Sequence, residues 1–444
     1  MTEIKAFQTP EFRLSVEQLD GGKIIVHRHA FRGNVHNRVE NYEKIGADGR
    51  STLTPMDRDT AVCILNRVFG GMPYAESFLF EELTGSSSEG IDMSKTPMEH
   101  KFTSTGQKFW RHAEQMNAYR NGQGSTIIST HVSPEGACNL KCPYCSVTHR
   151  DTHSRIDLGV VMKYVGDLKT RSLKAVILTG GGEPTAYPDF NDLICWLKDQ
   201  DLSVALITNG TLTHKVTPKA WKAFSWVRVS LNLFDGWEER INLPTDLLSE
   251  HCVTGCSMVY TTEHEATKEK LESRQELLRK AARVADKLKA KYVRLLPNCL
   301  LQQRALLVQH KALDHDIREL NDPRFFHQHK VHGAPKCGHC HQSHFRPYLS
   351  EEKFHGNDLP GTVYPCDSVV LNEAYTRFAL PYQICHAADV LDFLDGKIQL
   401  KFDPREQCKG CVFTDNVNML DDWKERGVEQ FSEFPAPLVH EEFI

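Results

Sequence analysis

Three cysteines between residues 138 and 145 have the spacing of cluster ligands. Cys138, Cys142 and Cys145 are separated by three and then two residues in the segment HVSPEGACNLKCPYC. Three thiolates this close together can bind one side of a cubane iron–sulfur cluster and leave its fourth iron without a protein ligand. Structural zinc normally takes four ligands, and His149 is the only local candidate for a fourth. The spacing favours a 4Fe–4S cluster with one open iron, and zinc is the alternative.

A second set of cysteines lies in the last quarter of the chain. It contains two CxxC pairs and two single cysteines, which are Cys337, Cys340, Cys366, Cys385, Cys408 and Cys411. Four of these are enough for a second centre, either an auxiliary iron–sulfur cluster or a zinc ion held by the two CxxC pairs. The histidines of this region, His339, His341, His344 and His386, are interpreted as solvated side chains. The other five cysteines have apolar neighbours, which indicates buried packing.

Strands alternate with helices from Gly124 onward, the pattern of parallel α/β architecture. The strand candidates are STIISTHV from Ser125, AVILT from Ala175, SVALIT from Ser203, WVRVSL from Trp226, CSMVY from Cys256 and YVRLL from Tyr292. The helix candidates between them are Leu158–Thr170, Asp189–Asp199, Pro218–Phe224, Asp246–His251 and Lys268–Lys289. Six such units are too few for an eight-stranded barrel, so the sequence predicts an open partial barrel with its site at the carboxyl ends of the strands.

Small and polar residues follow three of the predicted strands. The second strand ends in TGGGEPT, residues 179–185, where glycines permit a close backbone approach that a Cβ atom would block. The third strand ends in Thr208-Asn209-Gly210 and the fourth in VRVSLNLFDG, which contains Ser230. Such residues also favour turns by themselves, so a purely structural role is the alternative. Arg294, on the sixth strand, reaches the same rim and is given no role.

These motifs together resemble the radical SAM superfamily. Its defining pattern is C-x3-C-x2-C with an aromatic residue before the last cysteine, a position that Tyr144 occupies here. The TGGGEPT segment is similar to the GGE motif of the family, and TNG and VSLNLFDG are similar to its later strand-end motifs. Asn232 stands where many relatives have aspartate. The resemblance covers residues 124 to 297, and the C-terminal cysteines resemble the twitch and SPASM extensions that carry auxiliary 4Fe–4S clusters.

The resemblance implies cofactors, ligands and a reaction. It implies that the open iron is chelated by S-adenosylmethionine and that a reduced cluster cleaves this cofactor to a 5′-deoxyadenosyl radical. It also implies a low-potential electron donor such as flavodoxin or ferredoxin. The residues it places at the cofactor are Tyr144, Gly181, Gly182, Glu183, Thr208, Asn209 and Ser230.

Composition supports a soluble protein without a general affinity for polyanions. The net charge is -5 at pH 7, which excludes a global positive field of the kind that holds nucleic acid. The N-terminal segment lacks the features of a signal peptide and no apolar run is long enough to span a membrane, so we expect a cytoplasmic location. We expect three regions, an N-terminal region of unknown role (1–124), the partial barrel (125–300) and a cysteine-rich domain (301–444).

The substrate is left open between two classes. The resemblance to auxiliary-cluster enzymes favours a peptide or protein side chain. A nucleotide or nucleic acid base is the alternative, and the basic, aromatic segment Lys101–Arg120 would then be a contact surface. A zinc-binding interaction protein without catalytic activity is the remaining alternative.

Overall fold

The chain forms two compact units, Met1–Asp92 and Met93–Ile444. The computed structural model describes six strands within residues 2–53 and then residues 95–142, 144–148, 150–231, 236–260, 274–300, 303–330, 333–371, 380–427 and 438–444. The sequence also predicts a helix from Asp57 to Phe69, with Gly70 and Gly71 after it, and this segment lies outside the described residues, as do His149 and Asn232. Within the described ranges, no helix has both the length and the apolar character needed to cross a membrane.

The first unit contains antiparallel strands. Four of them form a sheet in the order β1-β2-β3-β4, and the other two pair with each other. Their bounds are β1 Thr2–Gln8, β2 Phe12–Gln18, β3 Ile24–Ala30, β4 Val39–Asn41, β5 Glu43–Ile45 and β6 Ser51–Leu53. The sequence analysis did not predict these strands, although Phe12, Leu14 and Val16 alternate with polar residues in β2.

The second unit is built on one sheet of ten strands. These are β7 Ser129–Val132, β8 Ala175–Leu178, β9 Ser203–Thr208, β10 Phe224–Ser230, β11 Val253–Tyr260, β12 Tyr292–Pro297, β13 Phe325–His327, β14 Tyr348–Lys353, β15 Pro360–Tyr364 and β16 Cys385–His386. Their order across the sheet is β13-β12-β11-β10-β9-β8-β7-β14-β15-β16. Neighbours from β13 to β14 are parallel, and the last two pairs are antiparallel.

Helices connect and cover these strands. Their bounds are α1 Pro97–Phe102, α2 Ala113–Arg120, α3 Leu158–Lys169, α4 Phe190–Asp199, α5 Pro218–Trp221, α6 Trp237–Arg240, α7 Thr245–Leu248, α8 Arg274–Lys287, α9 Gln303–Leu320, α10 Val390–Leu394, α11 Pro404–Gln407 and α12 Thr414–Arg426. Helix α3 shows why they form where they do. Asp157 caps its first turn by accepting from the Gly159 amide, and Val161, Val165 and Leu168 recur at helical spacing on its buried side.

The six predicted strands are confirmed as β7 to β12, in a mixed α/β fold with a large, mostly parallel sheet. Strands β7 and β8 are buried along their whole length, as expected for a sheet covered on both sides. The sequence predicts six units of alternating strand and helix, and the structure adds a further unit, α9 and β13, after Pro297. Strand β13 has only three residues, too few for a readable periodicity.

Candidate active site

A cleft of about 560 Å³ lies at the carboxyl ends of strands β7 to β10. All ten residues predicted at the first cluster and its cofactor line this cleft, namely Cys138, Cys142, Cys145, Tyr144, Gly181, Gly182, Glu183, Thr208, Asn209 and Ser230. They come from four separate loops or strand ends, and parallel pairing of β7 to β10 brings those ends to one edge of the sheet. The volume is in the range of pockets that bind small molecules.

The glycine loop after β8 packs tightly against two other parts of the chain, the segment before Cys138 and the side chain of Glu351. A Cβ atom on Gly182 would lie 2.1 Å from the Ala137 carbonyl oxygen, and one on Gly181 would lie 1.7 Å from Glu351 Oε1. The Gly182 amide donates to the Glu135 carbonyl, and the Glu183 amide donates to the Ala137 carbonyl, each at 2.8 Å. The glycines therefore hold the loop against the segment that carries Cys138, and the loop's other edge borders the cleft.

The carboxylate of Glu183 joins the ends of β8 and β9. Its Oε1 accepts from the hydroxyls of Thr185 and Thr208 at 2.6 and 2.5 Å, and its Oε2 accepts from the Asn209 amide at 2.8 Å. Burial raises the pKa of Glu183, while these hydrogen bonds oppose that rise. Because Oε2 accepts only one of the described hydrogen bonds, it retains capacity for a donor in the cleft.

Arg150 braces the cysteine loop, and sequence analysis did not single it out. Its Nε donates to the Gly136 carbonyl at 2.8 Å, and its Nη1 lies 2.9 Å from the Val147 carbonyl oxygen and 3.5 Å from Cys145 Sγ. The guanidinium thus ties both ends of the loop together beside one of the three thiols. In the sequence, only its position five residues after Cys145 could have indicated a role at the cysteine loop.

Glu351 was also missed, because it comes from the C-terminal part of the chain. It lies on β14 and is 1% exposed. Ser133 Oγ accepts from the Gly181 amide at 2.5 Å and donates to Glu351 Oε2 at 2.6 Å. Burial raises the pKa of Glu351 to about 7. Through Ser133, the buried carboxyl group of Glu351 on β14 therefore helps to hold the glycine loop in place.

Four of the C-terminal cysteines surround a second, much smaller cavity. Cys340, Cys366, Cys408 and Cys411 line a space of about 20 Å³ together with proline, valine and phenylalanine side chains. Burial raises the pKa of the Cys340 thiol well above its usual value, and Cys366, Cys408 and Cys411 add to the rise. Cys337 is buried in the same hydrophobic cluster. The structure thus brings five of the six predicted cysteines into one region.

Cys385 lies elsewhere. It is on β16, is 2% exposed and packs within the main hydrophobic core. Its grouping with the other five in the sequence analysis reflected only its nearness along the chain. The interpretation of the histidines as solvated was also wrong for His341 and His386, which are buried and hydrogen-bonded to Tyr119 and to the Pro360 carbonyl.

The spacing of the thiols bears on which group they could hold. Within the described part of the chain, no three cysteine sulfur atoms lie within 4.8 Å of one another. Tetrahedral zinc, with Zn–S bonds of about 2.3 Å, would hold its thiolates roughly 3.8 Å apart. A cubane cluster is larger than one ion and holds its cysteines farther apart. Among the described residues, neither cysteine site therefore has three thiols at the spacing of a single zinc ion.

The segment Lys101–Arg120 is partly buried, and Arg111 is among its exposed residues. Lys108 Nζ donates to the backbone carbonyls of Val439 and His440 at 3.2 and 3.1 Å, and Arg120 Nη2 donates to the Trp423 carbonyl at 3.1 Å. These contacts give the basic side chains partners within the protein. They leave little of the segment for the nucleic acid contact that the sequence analysis considered.

Comparisons with known proteins agree with this site. A family model described as the radical SAM superfamily matches residues 132–246. The S-adenosylmethionine-dependent nucleotide dehydratase of Selenomonas ruminantium is 34% identical over 108 residues, which is 24% of this chain and 38% of the relative. A probable GTP 3′,8-cyclase of Methanococcus maripaludis is 30% identical over 119 residues, or 25% of this chain and 39% of the relative. The crystal structure of Streptococcus suis SuiB bound to S-adenosylmethionine superposes with a TM-score of 0.40 at 12% identity, covering 79% of this chain and 83% of that one.

The matched segment contains the features that define the cleft. It runs from the last residue of β7 to α7, and so includes the three cysteines, the glycine loop and the ends of β9 and β10. The chain spans less than two-fifths of the length of the curated relatives named here. Members of the matched family use a 4Fe–4S cluster and S-adenosylmethionine. Residues 132–246 of this chain therefore form a radical SAM domain.

Proposed function

We propose that this chain is an enzyme that cleaves S-adenosylmethionine reductively and uses the resulting radical to abstract hydrogen from a substrate. The observation that supports the proposal most strongly is the single cleft that gathers three cysteines, a glycine loop and the polar ends of β9 and β10. When bound, a reduced cluster supplies one electron to the sulfonium, and the carbon–sulfur bond breaks to give methionine and a 5′-deoxyadenosyl radical.

The residues of the cleft would bind and orient the cofactor. Cys138, Cys142 and Cys145 would hold the cluster, and Arg150 would donate a hydrogen bond toward Cys145 Sγ. The backbone of Gly181 and Gly182 and the free capacity of Glu183 Oε2 would receive the ammonium group of the methionine part. Thr208, Asn209, Ser230 and Tyr144 would border the nucleoside part. The electron would come from a low-potential donor such as flavodoxin or ferredoxin.

The second centre would serve electron transfer or stability. Its cavity has four thiols around it and leaves too little room for a substrate. The fit of the thiol spacing supports an auxiliary iron–sulfur cluster held by Cys340, Cys366, Cys408 and Cys411, with Cys337 beside them. Cys385 is not part of this proposal. We also propose the three domains expected from the sequence, residues 1–124, 125–300 and 301–444.

Two substrate classes are carried forward. The cysteine-rich C-terminal region supports a peptide or protein side chain, through its resemblance to auxiliary-cluster enzymes. The relatives named for nucleotide dehydration and GTP cyclisation support a nucleotide. These classes differ in charge, which makes the lining of the substrate space informative.

Uncoupled cofactor cleavage tests the proposal without knowledge of the substrate. The chain would be reconstituted anaerobically with iron and sulfide and mixed with dithionite and S-adenosylmethionine, and 5′-deoxyadenosine would be quantified. We expect nucleoside from the native chain and none from Cys142→Ala, because two thiolates would not hold the cluster. Cys195→Ala is the matched control, since Cys195 lies on helix α4 outside the cleft.

A colourless, zinc-loaded protein would support the interaction-protein alternative. A native chain that carries a full cluster load and still makes no 5′-deoxyadenosine would contradict the proposed function.

A further inference from the structure

A third cavity, of about 130 Å³, lies inside the barrel. Barrel strands contribute Ile177, Ile207 and Trp226 to its wall, and the C-terminal part of the chain contributes Phe413. Ile207 also borders the cofactor cleft, and Phe413 also borders the C-terminal cysteine cavity. We call this space the lumen cavity, and it lies between the two cysteine sites.

The side chains that line the lumen cavity have an excess of formal positive charge. Four cationic side chains line it, Arg228, Arg294, Lys330 and Arg346, and Asp367 is the one carboxylate among its lining residues. Asp367 forms a salt bridge with Arg346, in which Nη2 and Oδ1 are 2.6 Å apart. These five groups carry four positive charges and one negative charge, a formal net charge of +3.

The other three cations have no anionic partner within the described residues. Arg294 makes no hydrogen bond or salt bridge there, and its Nε is buried without an acceptor. Lys330 lies 5.2 Å from the ring centre of Phe413 and has no acceptor for its ammonium group. Arg228 donates only to neutral groups, the Tyr292 hydroxyl at 3.1 Å and the Phe102 carbonyl at 3.2 Å.

Three more basic side chains line the cavity, His131, Lys108 and His440. Burial lowers the pKa of His131 to about 3, so its ring is neutral near pH 7. Lys108 donates to three backbone carbonyls, and burial lowers its pKa to about 7. Unpaired charges that are partly removed from water are costly, so an anion bound among these side chains would stabilise the arrangement.

We infer that the lumen cavity binds the phosphate groups of a phosphorylated substrate, with Arg294 and Lys330 as its main contacts. The charge favours phosphate over carboxylate, because a carboxylate supplies one negative charge and a phosphate monoester about two. Guanidinium groups also bind phosphate oxygens through paired hydrogen bonds. The inference deepens the proposed function, since it places the anchoring group of the substrate next to the cofactor cleft.

Pyrophosphate is a suitable probe, because the cavity has three unmatched charges. Binding would be measured by isothermal titration calorimetry on the anaerobically reconstituted chain at fixed ionic strength, with pyrophosphate, inorganic phosphate and succinate as ligands. We expect pyrophosphate to bind most tightly and succinate least. Because a hydrogen bond to a charged group contributes about 1.5–3 kcal/mol, Arg294→Gln and Lys330→Gln should each weaken pyrophosphate binding by roughly tenfold to a hundredfold.

Arg283→Gln is the matched control, since Arg283 is an exposed residue of helix α8, and its affinity should equal that of the native chain. Unchanged affinity in Arg294→Gln/Lys330→Gln would overturn the inference, as would succinate binding as tightly as pyrophosphate. Melting curves monitored by circular dichroism would show that the variants are folded. Pyrophosphate binding is measured without cofactor cleavage, so this inference and the proposed function can fail separately.

Discussion

The two cysteine sites differ in the space beside their thiols. Cys138, Cys142 and Cys145 border a cleft of about 560 Å³ that also presents glycine backbone and strand-end polar groups. The four cysteines of the C-terminal site surround about 20 Å³ of mostly apolar space. Three thiols beside a ligand-sized opening suit a centre that binds a small molecule, and four thiols in a closed apolar pocket suit one that the protein coordinates completely. The difference is consistent with our proposal of chemistry at the first site and of structural support or electron transfer at the second.

The largest expected effect is a difference in cofactor cleavage between variants of the two cysteine sites. Cys142→Ala and Cys408→Ala should each lower the iron content by about half, as expected if each site holds one 4Fe–4S cluster. Only Cys142→Ala should abolish uncoupled formation of 5′-deoxyadenosine, because Cys408 lies away from the cofactor cleft. Iron and sulfide analysis with quantification of the nucleoside would check this. Equal loss of cleavage in both variants would remove the distinction between the sites.

The next effect concerns the support under the glycine loop. Gly181→Ala should lower the free energy of unfolding by about 1–3 kcal/mol, because its Cβ would overlap the Glu351 carboxyl group. Gly181→Ala/Glu351→Ala should recover part of the loss. Gly166→Ala is the control, since Gly166 lies within α3 with nothing within 4 Å of the added Cβ, and it should stabilise the protein slightly. Chemical denaturation would measure all three, and equal effects at both glycines would contradict the packing argument.

A comparable effect depends on pH. Burial raises the pKa of Glu351 from 4.5 to about 7, so the folded state binds more protons than the unfolded state between these values. The contribution of this group to stability is therefore largest below pH 4.5 and is lost as pH rises to 7, by about 3 kcal/mol in total. Glu351→Gln should remove this slope and be more stable than the native chain at pH 8. Parallel pH profiles of unfolding would contradict the assignment.

The smallest effect concerns the sixth C-terminal cysteine. Cys385→Ala should retain the full iron content and lose roughly 1 kcal/mol of stability, because it removes one buried sulfur from the core. Cys408→Ala should instead lose iron. A loss of iron in Cys385→Ala would show that the second centre extends to β16.

Local patterns in the sequence were sufficient to predict which strand ends and loops meet at the cleft. The cysteine spacing, TGGGEPT and the residues after β9 and β10 each follow a recognisable strand, and parallel strands bring their carboxyl ends together. Glu351 and Lys330 could not be found in this way. Glu351 reaches Ser133 from 218 residues away along the chain, because β14 pairs with β7. Lys330 follows β13, a strand that the sequence analysis did not predict.

The outermost strands of the ten-stranded sheet are very short. Strand β13 has three residues and β16 has two, and they lie at the two ends of the strand order. The edge of a sheet offers unpaired amides and carbonyls to which a strand of another molecule can add, and a short edge offers few of them. The sheet therefore gives little template for strand addition between molecules, which would favour the solubility of the protein at the high concentrations that cluster reconstitution requires.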